Sequence, residues 1–314
     1  MAGSAIGFDG TGAAASFKHP TDITSDGTNL YVVDSASSTI RKIVIATGVV
    51  STFAGSGTTG SANGTGTAAS FSHPYRITYS GGNLYVSDMG NRTIRKIVIA
   101  TRVVSTLAGS GRMGAVDATG TAASFNSTEG ITTDGTNLYV VDTGINTIRK
   151  IVIATGLVST LAGSGTAGML DGTNTAASFN YPRGIATDGT NLYVVDAANN
   201  KIRKIVIATG VVSTFAGSGA STSADGTGTA ASFFWLLGIT ADSGNLYVTD
   251  GNTIRKIVIA TRVVTTLAGS ASTRGTTDGS GTSATFTDPA GITTDGHSLF
   301  VADTNNDTIR KIQY

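Results

Sequence analysis

Short apolar runs alternate with polar, glycine-rich segments along the whole chain, and the order of the runs repeats. In one copy the apolar runs fall at 184–187, 192–196, 202–207 and 211–215. They are short, rich in β-branched residues and separated by glycine-containing turns, which predicts β-strands and not helices. In the run 202–207 both alternating faces carry aliphatic residues, so both faces of this sheet are expected to be buried.

The order of runs recurs six times, which predicts one repetitive domain. The copies start at phenylalanines spaced by 54, 54, 54, 54 and 53 residues: Phe17, Phe71, Phe125, Phe179, Phe233 and Phe286. Four antiparallel strands per copy, each sheet covered by its neighbours, describe an all-β, six-bladed β-propeller. The predicted blades lie near 17–70, 71–124, 125–178, 179–232, 233–285 and 286–314, with 1–16 as a linker or closure segment.

The last copy ends after its third run, so the sixth blade is expected to have three strands and an exposed edge. Such an edge can pair with a second copy of the chain or with sequence missing from it. The sequence leaves three interpretations open: a natural protein, a piece of a longer protein, or an engineered repeat scaffold.

Three motifs recur in the copies and resemble the NHL repeat. In the fourth copy they read Pro-Arg-Gly-Ile at 182–185, Leu-Tyr-Val-Val-Asp at 192–196 and Ile-Arg-Lys-Ile at 202–205. The resemblance covers essentially the whole chain and suggests a bacterial member of the family. It implies a six-bladed propeller that binds proteins, RNA or other ligands on one face, with lyases as a minority, so it says little about function.

Composition argues against several classes of function. Lys+Arg 21 against Asp+Glu 20 gives a net charge of +1, which offers no excess for nucleic acid or membrane lipid. Without cysteine, thiolate zinc sites and cysteine nucleophiles are excluded. No apolar run reaches membrane-spanning length. We therefore expect no enzyme activity, no cofactor, no metal and no membrane span, and a bacterial extracellular or cell-surface location rather than a cytoplasmic one.

Each copy carries an Arg-Lys pair, as at Arg149-Lys150, and an aspartate that ends the second run, as at Asp142. One interpretation is a basic ring for phosphates. The favoured interpretation is a buried ion pair between the arginine and the aspartate of the same blade, because both recur in equal number at fixed spacing.

The copies differ mainly in the five residues after each phenylalanine and in the loop after each aspartate. Both segments belong to the same end of a blade, so they are expected to form one variable face around the central channel, which we call the loop face. Aromatic and arginine side chains on such loops are typical of recognition surfaces. The candidate binding residues are His19, His73, Tyr75, Arg76, Arg92, Glu129, Tyr181, Arg183, Trp235 and Asp288.

Phe234-Trp-Leu-Leu, at 234–237, is the most apolar of these segments. It either plugs the channel as core or forms a hydrophobic contact site, and the plug is the favoured expectation. The expected partner of the loop face is a protein or a glycan.

Two alternatives remain open from the sequence. A propeller lyase or hydrolase would need a channel metal, with His19 and His73 as ligands and a third from Glu129 or Asp288. An RNA-binding NHL domain would use basic residues of this face, but acidic residues oppose them, so nucleic acid ranks below protein or glycan.

Overall fold

The structure is a computed structural model that describes residues 7–313. Six antiparallel sheets form a ring. The first long strand of each sheet contacts the first long strand of the next sheet, and the sixth sheet contacts the first in the same way. These first strands line a central channel. The predicted six-bladed propeller is confirmed.

Within each blade the long strands run outward from the channel in chain order, and consecutive long strands pair as neighbours. The first three blades contain β1 (Gly10–Thr11), β2 (Pro20–Ser25), β3 (Asn29–Asp34), β4 (Thr39–Val44), β5 (Val49–Ala54), β6 (Gly64–Thr65), β7 (Pro74–Ser80), β8 (Asn83–Asp88), β9 (Thr93–Val98), β10 (Val103–Ala108), β11 (Thr128–Thr133), β12 (Asn137–Asp142), β13 (Thr147–Val152) and β14 (Val158–Ala162). The last three contain β15 (Gly172–Thr173), β16 (Pro182–Thr187), β17 (Asn191–Asp196), β18 (Lys201–Val206), β19 (Val211–Ala216), β20 (Gly226–Thr227), β21 (Leu236–Ala241), β22 (Asn245–Asp250), β23 (Thr253–Val258), β24 (Val263–Gly269), β25 (Ile292–Thr294), β26 (Ser298–Asp303) and β27 (Thr308–Gln313).

Helical structure in residues 7–313 is confined to single 3₁₀ turns. They lie in the linkers before the phenylalanines and in the loops after the second long strand of a blade: Gly12–Ala14, Ser35–Ser37, Gly66–Ala68, Met89–Asn91, Gly120–Ala122, Thr143–Ile145, Asn174–Ala176, Ala197–Asn199, Gly228–Ala230, Gly281–Ser283 and Thr304–Asn306. Residues 7–313 contain no helix with the length and apolarity needed to cross a bilayer.

Blades 1, 2, 4 and 5 have a fifth strand that the sequence pattern did not predict. The linker before each blade places two residues against the outer strand, as where Gly10 and Thr11 of β1 lie opposite Val50 and Val49 of β5. The linker segment 1–16 therefore contributes to blade 1, although its residues 1–6 lie outside the described part of the chain. The sixth blade has three strands, as predicted.

The hydrophobic core lies between neighbouring blades and not around a single centre. One cluster joins Tyr31 and Phe53 of blade 1 to Leu84 and Val86 of blade 2, and equivalent clusters occupy the following interfaces. Each sheet is thus buried on both faces, as the aliphatic residues on both sides of its third long strand indicated.

A buried arginine connects the strands and the linker of each blade. The expected pairing with the aspartate of the same blade is present in all six, at N–O distances between 2.7 Å for Arg255–Asp250 and 3.3 Å for Arg149–Asp142. The same guanidinium lies over the phenylalanine that starts the copy, as Arg149 does over Phe125 at 5.2 Å. These contacts explain the repeated residues structurally, without a phosphate-binding ring.

Four hairpin turns share a second polar arrangement. Asp134 accepts hydrogen bonds from the backbone N–H groups of Thr136 and Asn137 and from the hydroxyl of Tyr139, at 2.7 Å for the hydroxyl. Partial burial opposes ionisation, but the hydrogen bonds from Asn137 outweigh it, and the pKa of Asp134 lies below its ordinary value. Asp26, Asp188 and Asp242 have the same partners and the same direction of pKa change.

Candidate functional site

The two variable segments of each copy lie side by side at one end of the blade. In blade 1 the backbone N–H of Lys18 donates to Oδ1 of Asp34 at 2.6 Å. The N–H of Ala36, in the loop after Asp34, donates to the carbonyl of Lys18 at 3.2 Å. Side-chain differences in both segments are therefore presented on the same end of the propeller, the loop face.

The loop face contains a cavity of about 780 Å³ between blades 5, 6, 1 and 2. We call this cavity the basin. Its apolar wall comes from Phe234, Trp235, Leu237 and Tyr75, and the rings of Phe234 and Trp235 are 55% and 52% exposed. A concave site with exposed aromatic rings is the arrangement expected for binding, because covering the rings removes apolar surface from water.

The structure brings some candidate residues together and separates others. His19, Tyr75, Trp235 and Asp288 line the basin, whereas His73 and Arg92 do not. Arg76 and Glu129 are buried below the surface, at 3% and 4% exposure. The expectation that these two are presented on the loop face is therefore wrong.

Arg76 is buried because its side chain closes the channel. Its Nη1 donates to the carbonyls of Thr21 and Ala290 at 3.3 and 3.2 Å and contacts Oδ1 of Asp22 at 3.3 Å. The guanidinium thus reaches from blade 2 to blade 6. It lines a smaller cavity of about 220 Å³, together with inner-strand residues that include Thr24 and Thr132.

Segment 234–237 is not the channel plug that the sequence favoured. Leu236 and Leu237 are buried at 1% and 6% exposure, but Phe234 and Trp235 face solvent. The loop after Asp250 has two residues where other blades have four, and it lacks their 3₁₀ turn. Phe234 and Trp235 remain about half exposed, with Arg183 of the neighbouring blade over the ring of Trp235.

The acidic and basic groups near the channel mouth neutralise one another. Burial raises the pKa of Asp22 despite the opposing charge of Arg76. Burial also raises the pKa of Glu129, against the lowering effect of Arg183 and Arg76. For Arg76, burial favours loss of the proton, but the Asp22 carboxylate outweighs it and the pKa is raised.

Arg183 and Tyr181 do not line the basin, but Arg183 contacts Trp235, which does. The guanidinium of Arg183 lies 4.8 Å from the ring centre of Tyr181 and 5.6 Å from that of Trp235. Its Nε is 3.9 Å from Oε2 of Glu129. Cation–π contact of this kind holds exposed aromatic rings in one orientation, so Trp235 is positioned by a side chain of the neighbouring blade.

Four candidate residues adopt a left-handed backbone conformation in front of a proline: His19, His73, Tyr181 and Asp288, with φ between 47° and 53°. This conformation is costly for residues other than glycine. It is supported from the preceding blade, since the His19 N–H donates to Asp307 at 2.6 Å and the Tyr181 N–H to Asn146 at 2.8 Å. The X-Pro dipeptides are the sequence signal for these fixed side-chain positions.

Among the polar residues of the basin that sequence reasoning missed are two that contact Asp288. Arg274 contacts Oδ1 of Asp288 at 3.3 Å from a linker, and Asn305 donates to Oδ2 of Asp288 at 2.7 Å. Asn305 belongs to a variable loop, which is a usable signal. Arg274 lies in a glycine-rich linker that gave no indication of a site.

Within residues 7–313, no group of three His, Asp or Glu side chains lies close enough together to hold a metal ion. His19 lines the basin, whereas His73 does not, and Nδ1 of His73 lies 3.5 Å from the hydroxyl of Ser72.

The fold is a β-propeller of six blades with a cavity on its loop face. Comparison with known proteins shows which proteins it resembles. No family model matches the chain. It is 30% identical over 324 residues to SUPPRESSOR OF QUENCHING 1, chloroplastic, of Arabidopsis thaliana, covering 96% of this chain and 31% of that protein. It is 29% identical over 286 residues to NHL repeat-containing protein 2 of Homo sapiens, covering 77% of this chain and 39% of that protein.

The chain belongs to the NHL-repeat β-propeller family. It spans about a third of the length of these two curated relatives. Among solved structures, an auxiliary nutrient binding protein from Bacteroides thetaiotaomicron superimposes with a TM-score of 0.71 at 18% identity, covering 96% of this chain and 70% of that one. At this identity the likeness shows the fold alone.

Proposed function

We propose that the chain is a non-enzymatic binding propeller whose basin receives a compact part of a protein or glycan ligand. The observation that carries the proposal is the exposure of Phe234 and Trp235 on the wall of a cavity of about 780 Å³. This volume lies within the range of about 300–1,000 Å³ that is usual for ligand sites.

The polar groups of the basin suggest what part of a ligand it accepts. Asp288, Arg274 and Asn305 form a hydrogen-bonded group contributed by blade 6 and the linker before it, while the apolar wall comes from blades 2 and 5. Because Asp288 and Arg274 compensate each other, the basin favours a ligand portion without net charge. A sugar ring or an uncharged amphipathic side chain has both the apolar face and the polar edge that this arrangement requires.

Other functions are less well supported. Of the basic candidates for RNA binding, Arg76 is buried beside Asp22 and Arg183 lies near Glu129, which reduces the positive potential of the face. For catalysis, the described residues offer no metal-binding group of three side chains. Composition supports an extracellular or cell-surface location, since 13% charged residues and 42 glycines without cysteine suit such proteins.

The experiment uses the intrinsic fluorescence of Trp235, because the chain has a single tryptophan. The purified chain is titrated with a panel of soluble mono- and oligosaccharides and short uncharged peptides. We expect at least one panel member to shift the emission saturably. Phe234→Ala should weaken that binding by about tenfold, as expected for loss of a buried aromatic contact.

Leu170→Ala is the matched control, because Leu170 is 68% exposed but lies outside the basin. It should leave the affinity unchanged. A panel without any saturable shift, or equal weakening by both substitutions, contradicts the proposal.

A further inference from the structure

Asn63 occupies a linker position that holds an aspartate in every other blade. The equivalent aspartates contact the repeated arginine of their own blade at N–O distances of 2.5–2.8 Å: Asp9, Asp117, Asp171, Asp225 and Asp278. In blade 2, Nη2 of Arg95 donates to Oδ1 of Asn63 at 2.9 Å. The amide thus takes the place of the carboxylate in the same contact.

The residue after Asn63 is Gly64, and this is the single Asn-Gly sequence in the chain. Asparagine is one of the thermolabile residues of proteins. It loses its amide when the backbone nitrogen of the next residue attacks Cγ, and glycine permits this attack best, because it has no Cβ and its backbone is the least restricted. Asn63 is also exposed to the water that completes the reaction.

The surroundings of Asn63 favour this attack. Its Oδ1 accepts hydrogen bonds from Arg95 and, at 3.4 Å, from the hydroxyl of Thr106. Both donors face the oxygen on which negative charge develops when Cγ is attacked, and such donors lower the barrier. The attacking nitrogen belongs to the two-residue strand β6, which lies at the outer edge of its sheet. A short edge strand opens more readily than the inner strands of a blade.

We propose that Asn63 is a site of spontaneous deamidation, and that its aspartate product forms the ion pair with Arg95 that the other blades already have. In the first step a bond forms between the backbone nitrogen of Gly64 and Cγ of Asn63. The bond between Cγ and Nδ2 breaks, and the proton of the Gly64 nitrogen leaves with Nδ2 as ammonia. Water then opens the cyclic imide at one of its two carbonyls, which gives aspartate or isoaspartate.

The two products have different consequences for blade 2. Aspartate leaves the main chain unchanged and places a carboxylate as in blade 4, where Asp171 contacts Arg203 at 2.8 Å and the hydroxyl of Thr214 at 3.3 Å. Isoaspartate lengthens the main chain by one carbon atom, so Gly64 is expected to lose its register opposite Val104. Either product lowers the formal net charge of the chain from +1 to zero.

The experiment incubates the purified, folded chain at mildly alkaline pH and follows each asparagine by peptide mapping and mass spectrometry. We expect Asn63 to gain about 1 Da at least about tenfold faster than any other asparagine, together with a new acidic species on ion exchange. Conversion of Asn63 that is no faster than that of the other asparagines would overturn the proposal.

Gly64→Ala is the matched control for the route through the cyclic imide. Blade 3 has Ala118 after Asp117, so the fold accommodates alanine at this position. The added Cβ hinders the attack on Cγ, and Asn63 should convert at least about tenfold more slowly. Equal rates in the parent chain and in Gly64→Ala would contradict this route.

Asn63→Asp reproduces the aspartate product and tests the ion pair. Its melting temperature should equal or exceed that of the parent chain, because a half-exposed ion pair stabilises only slightly. Part of the aged chain should elute with this variant on ion exchange. A lower melting temperature of Asn63→Asp, or an aged chain that contains isoaspartate alone, would overturn the assignment of the product. Asn63 does not line the basin, so these results are independent of the loop-face proposal.

Discussion

Arg76 and Asp22 form a buried ion pair across the first two blades, with Nη1 of the arginine 3.3 Å from Oδ1 of the aspartate. The other four blades have glycine at this position: Gly130, Gly184, Gly238 and Gly291. Two complementary charges thus replace two glycines at neighbouring positions around the channel. Asp22 is further held by the N–H of Ile77, which donates to its Oδ2 at 2.8 Å.

This relationship predicts strong coupling between the two residues. Arg76→Ala should lower the free energy of unfolding by about 3–5 kcal/mol, because it leaves the Asp22 carboxylate buried without its partner. The double variant Asp22→Gly with Arg76→Gly restores the glycines of the other blades and should cost less than the single substitution. Urea unfolding of Asp22→Gly, Arg76→Gly and the double variant measures this, and single costs that simply add up to the cost of the double variant would contradict the coupling.

Substitutions of the repeated arginines should lower the free energy of unfolding by different amounts. The loss should be larger where the blade buries the arginine more completely. Arg149 is fully buried with Asp142, so Arg149→Met should lower the free energy of unfolding by about 3–5 kcal/mol. Arg310, which is 13% exposed and lacks a covering outer strand, serves as the matched position, and Arg310→Met should cost clearly less.

Thermal unfolding followed by circular dichroism compares these two variants. Neither should change ligand binding at the basin, because both arginines lie away from it. An unchanged melting temperature for Arg149→Met would show that the ion pair does not contribute to the stability of the blade.

The fold could be predicted from the sequence because its six copies can be compared with one another. Arginine and aspartate recurring in all six copies, 7 residues apart in every blade except blade 5, where they are 5 apart, indicated the ion pairs before any distance was known. The two-residue outer strands, such as Gly10–Thr11, could not be predicted. A Gly-Thr pair carries no hydrophobic period, and its pairing depends on where the linker passes the finished blade.

The candidate site was predicted less completely. Divergence between copies indicated the end of the propeller that carries the basin and included His19, Tyr75, Trp235 and Asp288, which line it. It could not separate exposed residues from buried ones, because adjacent positions such as Tyr75 and Arg76 point to the basin and into the channel respectively. The direction of each side chain depends on how neighbouring inner strands approach each other, and this cannot be predicted from the local sequence.

Acid should destabilise the fold partly through the four turn aspartates, Asp26, Asp134, Asp188 and Asp242. Their pKa values are lowered from 3.8 in the fold, so below this pH the unfolded chain binds more protons. Their stabilising contribution is present above about pH 4 and is lost as the pH falls through the folded pKa values.

A variant with all four aspartates replaced by asparagine tests this. Its melting temperature should be lower than that of the parent chain at pH 6, and it should fall less between pH 5 and pH 2.5, a range set by the direction of these pKa changes. Parallel pH profiles for the two proteins would show that these carboxylates do not govern the acid transition.

The open edge of the sixth blade should be visible in hydrogen exchange. Within residues 7–313, β27 is paired only with β26, whereas β13 lies between β12 and β14. Amides of β27 that face the open edge should exchange at least about tenfold faster than the equivalent amides of β13, because they lack an interstrand partner. Amides of β27 that bond to β26 provide the internal control and should remain protected. Equal protection on both sides of β27 would mean that the edge is covered in solution.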